Sequence, residues 1–353
     1  QNGIIVEMKL LPLLFGVIIA GFAFVGSALS QEYTLRLHHF LPATSTIPAK
    51  GLAPWAERIQ KASGGRLKIE LYPSMQLGGS PTQLFDQAKD GVVDIIWTVL
   101  GYTPGRFPKS EVFETPFMVT NAENTSRAFQ KYVETYAMDE FKDVKLIAVH
   151  THGPGLFHMK EPLTSLEGLR GRKVRGGSRI INEMLADLGA TPIGMPLPSV
   201  PEALTTGVIS GTTIPWEVTT AFKISELVHN HTGFSGPNGL YTQTFALVMN
   251  KDSYNRLPDD LKAIIDANSG IELAAKFGAA MDAGDLKGLK VAKDLGNNII
   301  TLDAQETARW KQAAQPTIER WISETENGQM LYDAAKALVA KYSSLENQVQ
   351  TLD

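Results

Sequence analysis

The sequence predicts an α/β protein of two lobes, each a β-sheet flanked by helices, with long helices at the C-terminal end. Three observations lead to this fold class. Short apolar runs alternate with amphipathic stretches, a pattern typical of largely parallel sheets. Two separated segments share one order of features, and the chain from Pro258 onward is mostly helical in pattern.

The elements follow in order from Tyr33. A β-α-β-α-β series is predicted, with right-handed crossovers, and Gly64-Gly65 end its first helix. Its ranges are a strand at 33–40, a helix at 48–62, a strand at 67–72, a helix at 81–89 and a strand at 92–100. Further strands are predicted at 145–150, 172–175, 208–214 and 240–249, and long helices near 259–295, 304–325 and 328–342.

A weak internal repeat indicates two similar lobes. Residues 81–97 and 198–216 each contain proline, a helical stretch, a Gly-Val turn, an apolar strand and a tryptophan. An aromatic residue beyond the carboxyl end of a strand in each lobe would place a ligand in the crevice between the lobes. Chance repetition of α/β units is the alternative explanation.

The N-terminal residues 1–30 are predicted to be a leader and signal peptide. Met8-Lys9 begins a run from Leu10 to Val25 without a charged residue, and Ala28-x-Ser30 supplies small residues for cleavage. The run is shorter than the roughly 20 residues that span a bilayer. We therefore expect cleavage after Ser30 and an exported protein. An uncleaved anchor is the alternative, disfavoured because no basic cluster follows.

Composition excludes several classes of chemistry. The chain has 33 Lys and Arg against 37 Asp and Glu, for a net charge of -4, so no general field favours nucleic acid as a partner. It contains no cysteine, which removes disulfides, thiolate nucleophiles, iron-sulfur clusters and cysteine-ligated zinc.

The histidines are the first candidates for catalysis or metal binding. Spacing by two places His150 with His152, and His229 with His231, on one face of an extended chain, where each pair could ligate zinc or copper. No HExxH, GxSxG, Walker sequence or complete GxGxxG after a strand accompanies them. We expect no catalytic residue, metal or cofactor, and keep an exported metal-dependent hydrolase as a second alternative.

Arg175 is a candidate for binding a ligand, although the residues alone favour a surface salt bridge. It ends a short predicted strand just before glycines and a helix start, where side chains face a crevice. A guanidinium there can hold a carboxylate through two parallel hydrogen bonds, although a surface salt bridge is the alternative. Aromatic residues near the same predicted rim are Phe40, Trp97, Tyr102, Phe157 and Trp216; core packing is the alternative for each.

An ordered set of motifs carries a family resemblance. The motifs are Ser63-Gly64-Gly65-Arg66-Leu67, Tyr72-Pro73-Ser74-Met75-Gln76-Leu77-Gly78-Gly79, Gly91-Val92-Val93-Asp94, Glu114-Thr115-Pro116-Phe117, residues 166–175, residues 203–211, and Asn250-Lys251 through Leu257-Pro258. With these, residues 33–342 resemble the extracytoplasmic substrate-binding proteins of TRAP transporters, the DctP family.

The resemblance implies a periplasmic-binding-protein clamshell that captures an organic acid and delivers it to membrane permease subunits. It implies that Arg175 forms a salt bridge with the ligand carboxylate. Where many members carry a second arginine, this chain has Gly155-Leu156-Phe157-His158, and where many have an asparagine it has Ile214. Fewer polar contacts favour one carboxylate attached to an apolar or aromatic body.

We therefore expect an organic monocarboxylate ligand, with an aromatic acid such as a benzoate derivative favoured. The expected ligand-binding residues are Arg175, Trp216, Trp97, Phe157, His158, Tyr102, Thr98, Phe40 and His38. The alternative is a sugar acid or hydroxy acid, with His38, His158 and Asn238 contacting hydroxyls. Lobe I is expected to comprise residues 32–152 and about 241–280, and lobe II residues 153–240 and about 281–345, in a monomer or dimer.

Overall fold

The computed structural model describes Gly3 and residues 32–350, with side chains described to residue 344. The predicted signal peptide therefore lies outside the described residues. No helix in the described part of the chain combines the length and apolarity needed to cross a membrane.

The first lobe is built on a five-stranded sheet in the order β2-β1-β3-β10-β4. Strands β1, β2 and β3 are parallel, whereas β10 lies antiparallel between β3 and β4. Their bounds are β1 Tyr33–His39, β2 Leu67–Tyr72, β3 Ile95–Val99, β4 Lys145–Thr151 and β10 Thr244–Met249. Every residue of β3 and β10 is buried, as expected for central strands covered on both faces.

The second lobe is built on a six-stranded sheet in the order β11-β9-β5-β8-β6-β7. Strands β6, β7 and β8 are parallel, as are β9 and β11, while β5 runs antiparallel to both β8 and β9. The bounds are β5 Leu156–Met159, β6 Lys173–Gly176, β7 Thr191–Gly194, β8 Gly211–Ile214, β9 Asn230–Phe234 and β11 Asn298–Leu302.

Helices cover both sheets. Their bounds are α1 Ala53–Ala62, α2 Leu84–Lys89, α3 Ala122–Tyr132, α4 Arg179–Asp187, α5 Val200–Thr205, α6 Ile224–Leu227, α7 Lys251–Asn255, α8 Asp259–Ala267, α9 Ile271–Asp294, α10 Ala304–Glu324 and α11 Gly328–Gln350. A π-helical stretch, Ile47–Leu52, leads into α1. The side chain of Ser178 caps α4 by accepting a hydrogen bond from Ile181 N at 3.3 Å, which fixes the chain that follows β6.

Helix α9 connects the two lobes and packs unusually close to other backbone. Its 24 residues span about 36 Å. It contacts α3 and β4 of the first lobe and the turn Trp216–Val218 of the second. Any side chain at Gly278 would meet the backbone of Ala122 and Glu123, and one at Gly288 would meet the carbonyl oxygen of Trp216. Glycine at these positions lets one helix fit against both lobes.

The predicted fold class is confirmed, since two sheets flanked by helices precede long C-terminal helices. Some element bounds were wrong. The predicted strand 92–100 begins only at Ile95, because Gly91 has φ +76° and Val92 is exposed in a turn. The predicted helix 259–295 is divided into α8 and α9, since Gly270 has φ +81°.

Most of the second-lobe strands were missed. Strands β5, β7, β9 and β11 have four or five residues each and include Thr, Asn, His, Pro or Gly, so they lack a clear apolar alternation. Helix α11 packs against α3, and its residues Leu331, Ala335 and Val339 are buried in the larger of the two hydrophobic core clusters.

Candidate functional site

A narrow cavity lies between the two lobes. The space that protein atoms leave empty there amounts to about 370 Å³. Its lining comprises Phe40, Leu41, Trp97, Val99, Tyr102, His152, Arg175, Leu197, Ile214, Pro215, Glu217, Val218, Gln243, Phe245 and Met281. A cavity this narrow can hold a planar ligand, whereas a bulkier ligand would require the lobes to move apart.

Arg175 supplies a buried cation to this cavity. It lies on β6 between β7 and β8, and is only 1% exposed. Its Nε donates to the carbonyl oxygen of Met195 at 2.9 Å, and its Nη1 to that of Thr213 at 3.1 Å. Among the described residues, Nη2 has no hydrogen-bond partner and no carboxylate forms an ion pair with this guanidinium. A buried cation that lacks a counter-ion is costly, so an anionic ligand would stabilise it.

Gly177, which follows β6, and Gly101, which follows β3, allow the two lobes to approach each other beside Arg175. A Cβ at Gly177 would lie 2.4 Å from the side-chain amide of Gln243, and one at Gly101 would lie 2.4 Å from Cβ of Ser178. Real Cβ atoms do not come so close. The two lobes therefore touch at these glycines beside the cavity.

The first lobe contributes a stack of aromatic rings. The Trp97 indole is stacked between Phe40, at 5.2 Å and 11°, and Phe245, at 5.3 Å and 9° between ring planes. Tyr102 meets Phe40 edge-on at 5.4 Å. Trp97 Nε1 donates to His150 Nε2 at 2.9 Å, which fixes the orientation of the indole. Flat rings held in parallel planes form a wall on which another planar ring can pack.

His152 and Gln243 add neutral polar groups near the guanidinium. His152 Nε2 accepts a hydrogen bond from Gln243 N at 3.1 Å, so the proton of this imidazole lies on Nδ1, which donates to the carbonyl oxygen of Gly153. Burial, aided by the charge of Arg175, lowers the pKa of His152 to about 4. The side-chain Nε2 of Gln243 is buried without a partner among the described residues. Arg175 and Gln243 thus each bring one free donor to the cavity.

Glu217 is the acidic residue of the lining. It is 5% exposed, and burial raises its pKa to about 7, against the effect of a hydrogen bond from the Thr46 hydroxyl. Its backbone N donates to Asp285 Oδ1 of α9 at 2.7 Å. Burial, followed by the charge of Glu217, also raises the pKa of Asp285 well above its usual value.

The structure brings four of the predicted ligand-binding residues together in the cavity: Phe40, Trp97, Tyr102 and Arg175. Thr98 lies on the opposite face of β3 from Trp97, because side chains alternate along a strand. Phe157 is packed in the second core, 5.5 Å from the Trp310 ring.

His158, His38 and Trp216 also lie outside the cavity lining. His158 is fully buried; its Nδ1 lies 2.7 Å from His231 Nδ1, and its Nε2 donates to Ile214 O at 3.0 Å. His38 Nδ1 lies 2.7 Å from Gln87 Oε1, and its Nε2 accepts from Leu77 N at 3.1 Å.

The indole of Trp216 covers the buried histidine pair, with ring centroids 5.1 Å from His158 and 4.8 Å from His231. It borders a separate depression near Leu289. Asn238, named for the hydroxy-acid alternative, also lies outside the cavity lining.

Sequence reasoning missed four important lining residues. His152 follows β4, whereas Gln243 and Phe245 belong to the segment that enters β10, which pairs with strands about 100 to 150 residues earlier. Glu217 directly follows Trp216, which was one of the residues predicted to bind the ligand. The available signal was the polar stretch Thr242-Gln243-Thr244 inside the predicted strand 240–249.

The histidines that were paired by their spacing in the sequence have other partners in the structure. His150 is stacked on Phe245 at 4.8 Å, and His231 pairs with His158 rather than with its neighbour His229. Within residues 32–344, no three His, Asp or Glu side chains are grouped as metal ligands.

Comparison with known families gives a match over most of the chain. The model of the DctP family, described as bacterial extracellular solute-binding protein, family 7, matches residues 37–325. A curated relative is the C4-dicarboxylate-binding periplasmic protein DctP of Rhodobacter capsulatus. It is 26% identical over 318 residues, covering 87% of this chain and 92% of the relative.

Two solved structures are more similar. One is a TRAP solute-binding protein from Rhodoferax ferrireducens in complex with copurified benzoate. It is 46% identical with a TM-score of 0.87, covering 89% of this chain and 99% of the other. The second, from an unidentified marine microbe, is specific for aromatic acid ligands and contains 3-hydroxybenzoate, with the same identity, TM-score and coverage.

Proposed function

Because the chain belongs to family 7 of the bacterial extracellular solute-binding proteins, the DctP family, we propose that it captures an aromatic monocarboxylate in the periplasm. The bound acid is then delivered to the membrane permease subunits of a TRAP transporter. The protein acts by binding and releasing its ligand, without chemical conversion.

The single observation that carries this proposal is the buried, unpaired guanidinium of Arg175 beside the stacked rings of Phe40, Trp97 and Phe245. A benzoate-like ligand satisfies both parts of the site. Its carboxylate accepts hydrogen bonds from Arg175 Nη2 and from Gln243 Nε2, and its ring packs against the aromatic wall.

Closure of the lobes strengthens this binding. Arg175 belongs to the second lobe and the ring wall to the first, so carboxylate and ring are held together only when the lobes are closed. Closure excludes water, and charge-assisted hydrogen bonds become stronger in the drier site. A permease can distinguish loaded from empty protein because the ligand favours the closed conformation.

The similar solved structures support the aromatic ligand over the alternatives. Two of them, at 46% identity, contain benzoate and 3-hydroxybenzoate. The sugar-acid or hydroxy-acid alternative relied on His38, His158 and Asn238, none of which lines the cavity. The hydrolase alternative relied on histidine pairs whose partners in the structure are other rings and backbone.

A ligand panel tests the proposal. Isothermal titration calorimetry on the mature protein, stripped of copurified ligand by refolding, would compare benzoate with succinate and glucuronate. We expect benzoate to bind at least tenfold more tightly than either. Tight binding of succinate or glucuronate without binding of benzoate would overturn the assignment.

A further inference from the structure

The cavity contains a second charged group whose role is unassigned, the carboxyl of Glu217. It is contributed by the turn Trp216–Val218, immediately after β8, and is 5% exposed. Arg175, the ligand-binding cation, enters from β6. Both side chains line one narrow cavity, and they have different neighbours.

The two charged groups lie in separate environments within that cavity. Arg175 contacts the carbonyl oxygens of Met195 and Thr213, and its charge acts on Tyr102 and His152. Glu217, in contrast, borders α9.

The neighbours of Glu217 come from α9 and the turn before α1. A Cβ placed on Gly284 would lie 2.7 Å from Glu217 Cγ and 3.1 Å from the Thr46 hydroxyl. Asp285 accepts a hydrogen bond from the backbone of Glu217. The carboxyl is therefore held at the α9 side, while the guanidinium is held at the β6 side.

The hydrogen-bonding capacity of this carboxyl exceeds what the protein supplies. A carboxylate offers about four acceptor positions, and the Thr46 hydroxyl is its side-chain partner among the described residues. Burying an acid with so few partners is unfavourable unless another group completes its hydrogen bonds. A group on the ligand, positioned on the α9 side, can do so.

We propose that Glu217 determines specificity by hydrogen-bonding a hydroxyl substituent on the ring of the bound aromatic acid. A hydroxyl suits this position because it can donate to an ionised carboxylate and accept from a protonated carboxyl. The ligand carboxylate is bound at Arg175 and the ring on the aromatic wall, which leaves the hydroxyl to reach Glu217. The inference rests on the proposed function and narrows it to hydroxylated aromatic acids.

Calorimetric titration of the wild-type protein with benzoate, 3-hydroxybenzoate and 4-hydroxybenzoate tests this role. Wild type should bind one hydroxylated isomer about tenfold or more tightly than benzoate, since a hydrogen bond to a charged group is worth about 1.5–3 kcal/mol. Glu217→Met should bring that ratio close to one while benzoate still binds. Glu217→Gln keeps an acceptor of the same shape and should retain part of the preference.

One control variant and two contrary results complete this test. Glu226→Met, which changes an exposed acid nine residues after Glu217, should leave the ratio unchanged. Benzoate binding with the same hydroxybenzoate ratio in wild type, Glu217→Met and Glu217→Gln would overturn the role of Glu217 alone. Failure of wild type to bind any of the three acids would overturn the proposed function as well.

Discussion

Replacement of Arg175 by methionine should abolish ligand binding while changing the stability of the empty protein very little. The guanidinium is 1% exposed and has no carboxylate partner among the described residues. Its removal relieves the several kcal/mol that an uncompensated buried ion costs. A methionine of similar length fills most of the space that the arginine stem occupied.

The opposing cost is the loss of two hydrogen bonds. Arg175 donates to the carbonyl oxygens of Met195 and Thr213. Hydrogen bonds of a charged donor contribute about 1.5–3 kcal/mol each, so about 3–6 kcal/mol is lost. The two effects nearly cancel, and we expect the free energy of unfolding of the empty variant to lie within about 2 kcal/mol of wild type.

Urea unfolding with and without benzoate measures both effects. Ligand at 100 times its dissociation constant stabilises wild type by about 2.7 kcal/mol, and this increment should vanish in Arg175→Met. Arg172→Met is the matched control, since Arg172 also donates to two carbonyl oxygens, those of Glu161 and Pro162, but lies outside the cavity. It should keep the full ligand-induced increment.

Two results would refute this reasoning. Undiminished stabilisation of Arg175→Met by benzoate would show that the carboxylate is bound elsewhere. A loss of more than about 4 kcal/mol in the empty variant would show that Arg175 is primarily a structural link between β6 and its neighbours, since relief of the buried charge would then be negligible.

Two further outcomes are expected. Gly288→Ala should weaken benzoate binding, because the new Cβ would lie 2.0 Å from the carbonyl oxygen of Trp216 and displace the turn that carries Glu217; equal affinities in calorimetry for this variant and the exposed control Lys287→Ala would contradict it. Thermal unfolding followed by circular dichroism should show maximum stability between about pH 4.5 and 7, with a steep loss on the acid side. Burial lowers the pKa of five histidines from 6.5 to about 3 or 4, so the unfolded chain takes up their protons first as pH falls and stability is lost. Burial raises the pKa of three glutamates from 4.5 to about 7, so their contribution is present at low pH and is lost as pH rises through 7. A maximum well above pH 7 would contradict the predicted balance.

A site residue can be predicted from the sequence when the residues that position it lie close together in the chain. Arg175 could be selected as a candidate because its strand, the following glycines and the helix cap at Ser178 are consecutive in the chain, and the family resemblance then favoured it as the ligand-binding residue. Only part of the aromatic wall could be predicted from the sequence. Phe40 follows β1 and Trp97 lies within β3, both in the first β-α-β-α-β series, whereas Phe245 reaches the wall through the antiparallel strand β10, whose pairing with β3 spans well over 100 residues.

Successive side chains point to opposite faces of a strand, and this alternation determines where Thr98 and His158 lie. Trp97 and Thr98 are adjacent, so only one of them can face the cavity, and the indole does. His158 and Phe157 are adjacent on β5 and so point to opposite faces of the sheet, where Phe157 packs against Trp310 and His158 against Trp216 and His231. Neither residue lines the cavity. Position near the carboxyl end of a strand is visible in sequence, but the face that each side chain takes depends on the neighbouring strands.

The internal repeat also could not predict which way a side chain points. The difference between its two copies explains why the two lobes supply different groups to the site. The repeat equated Trp97 with Trp216, yet Trp97 lies within β3 and faces the cavity, while Trp216 follows Pro215 beyond the end of β8 and turns onto the histidine pair. Its neighbours Pro215 and Glu217 line the cavity in its place. The first lobe therefore supplies rings and the second supplies charges. Because neither set alone can hold an aromatic acid by both its ring and its carboxylate, binding is coupled to closure of the lobes.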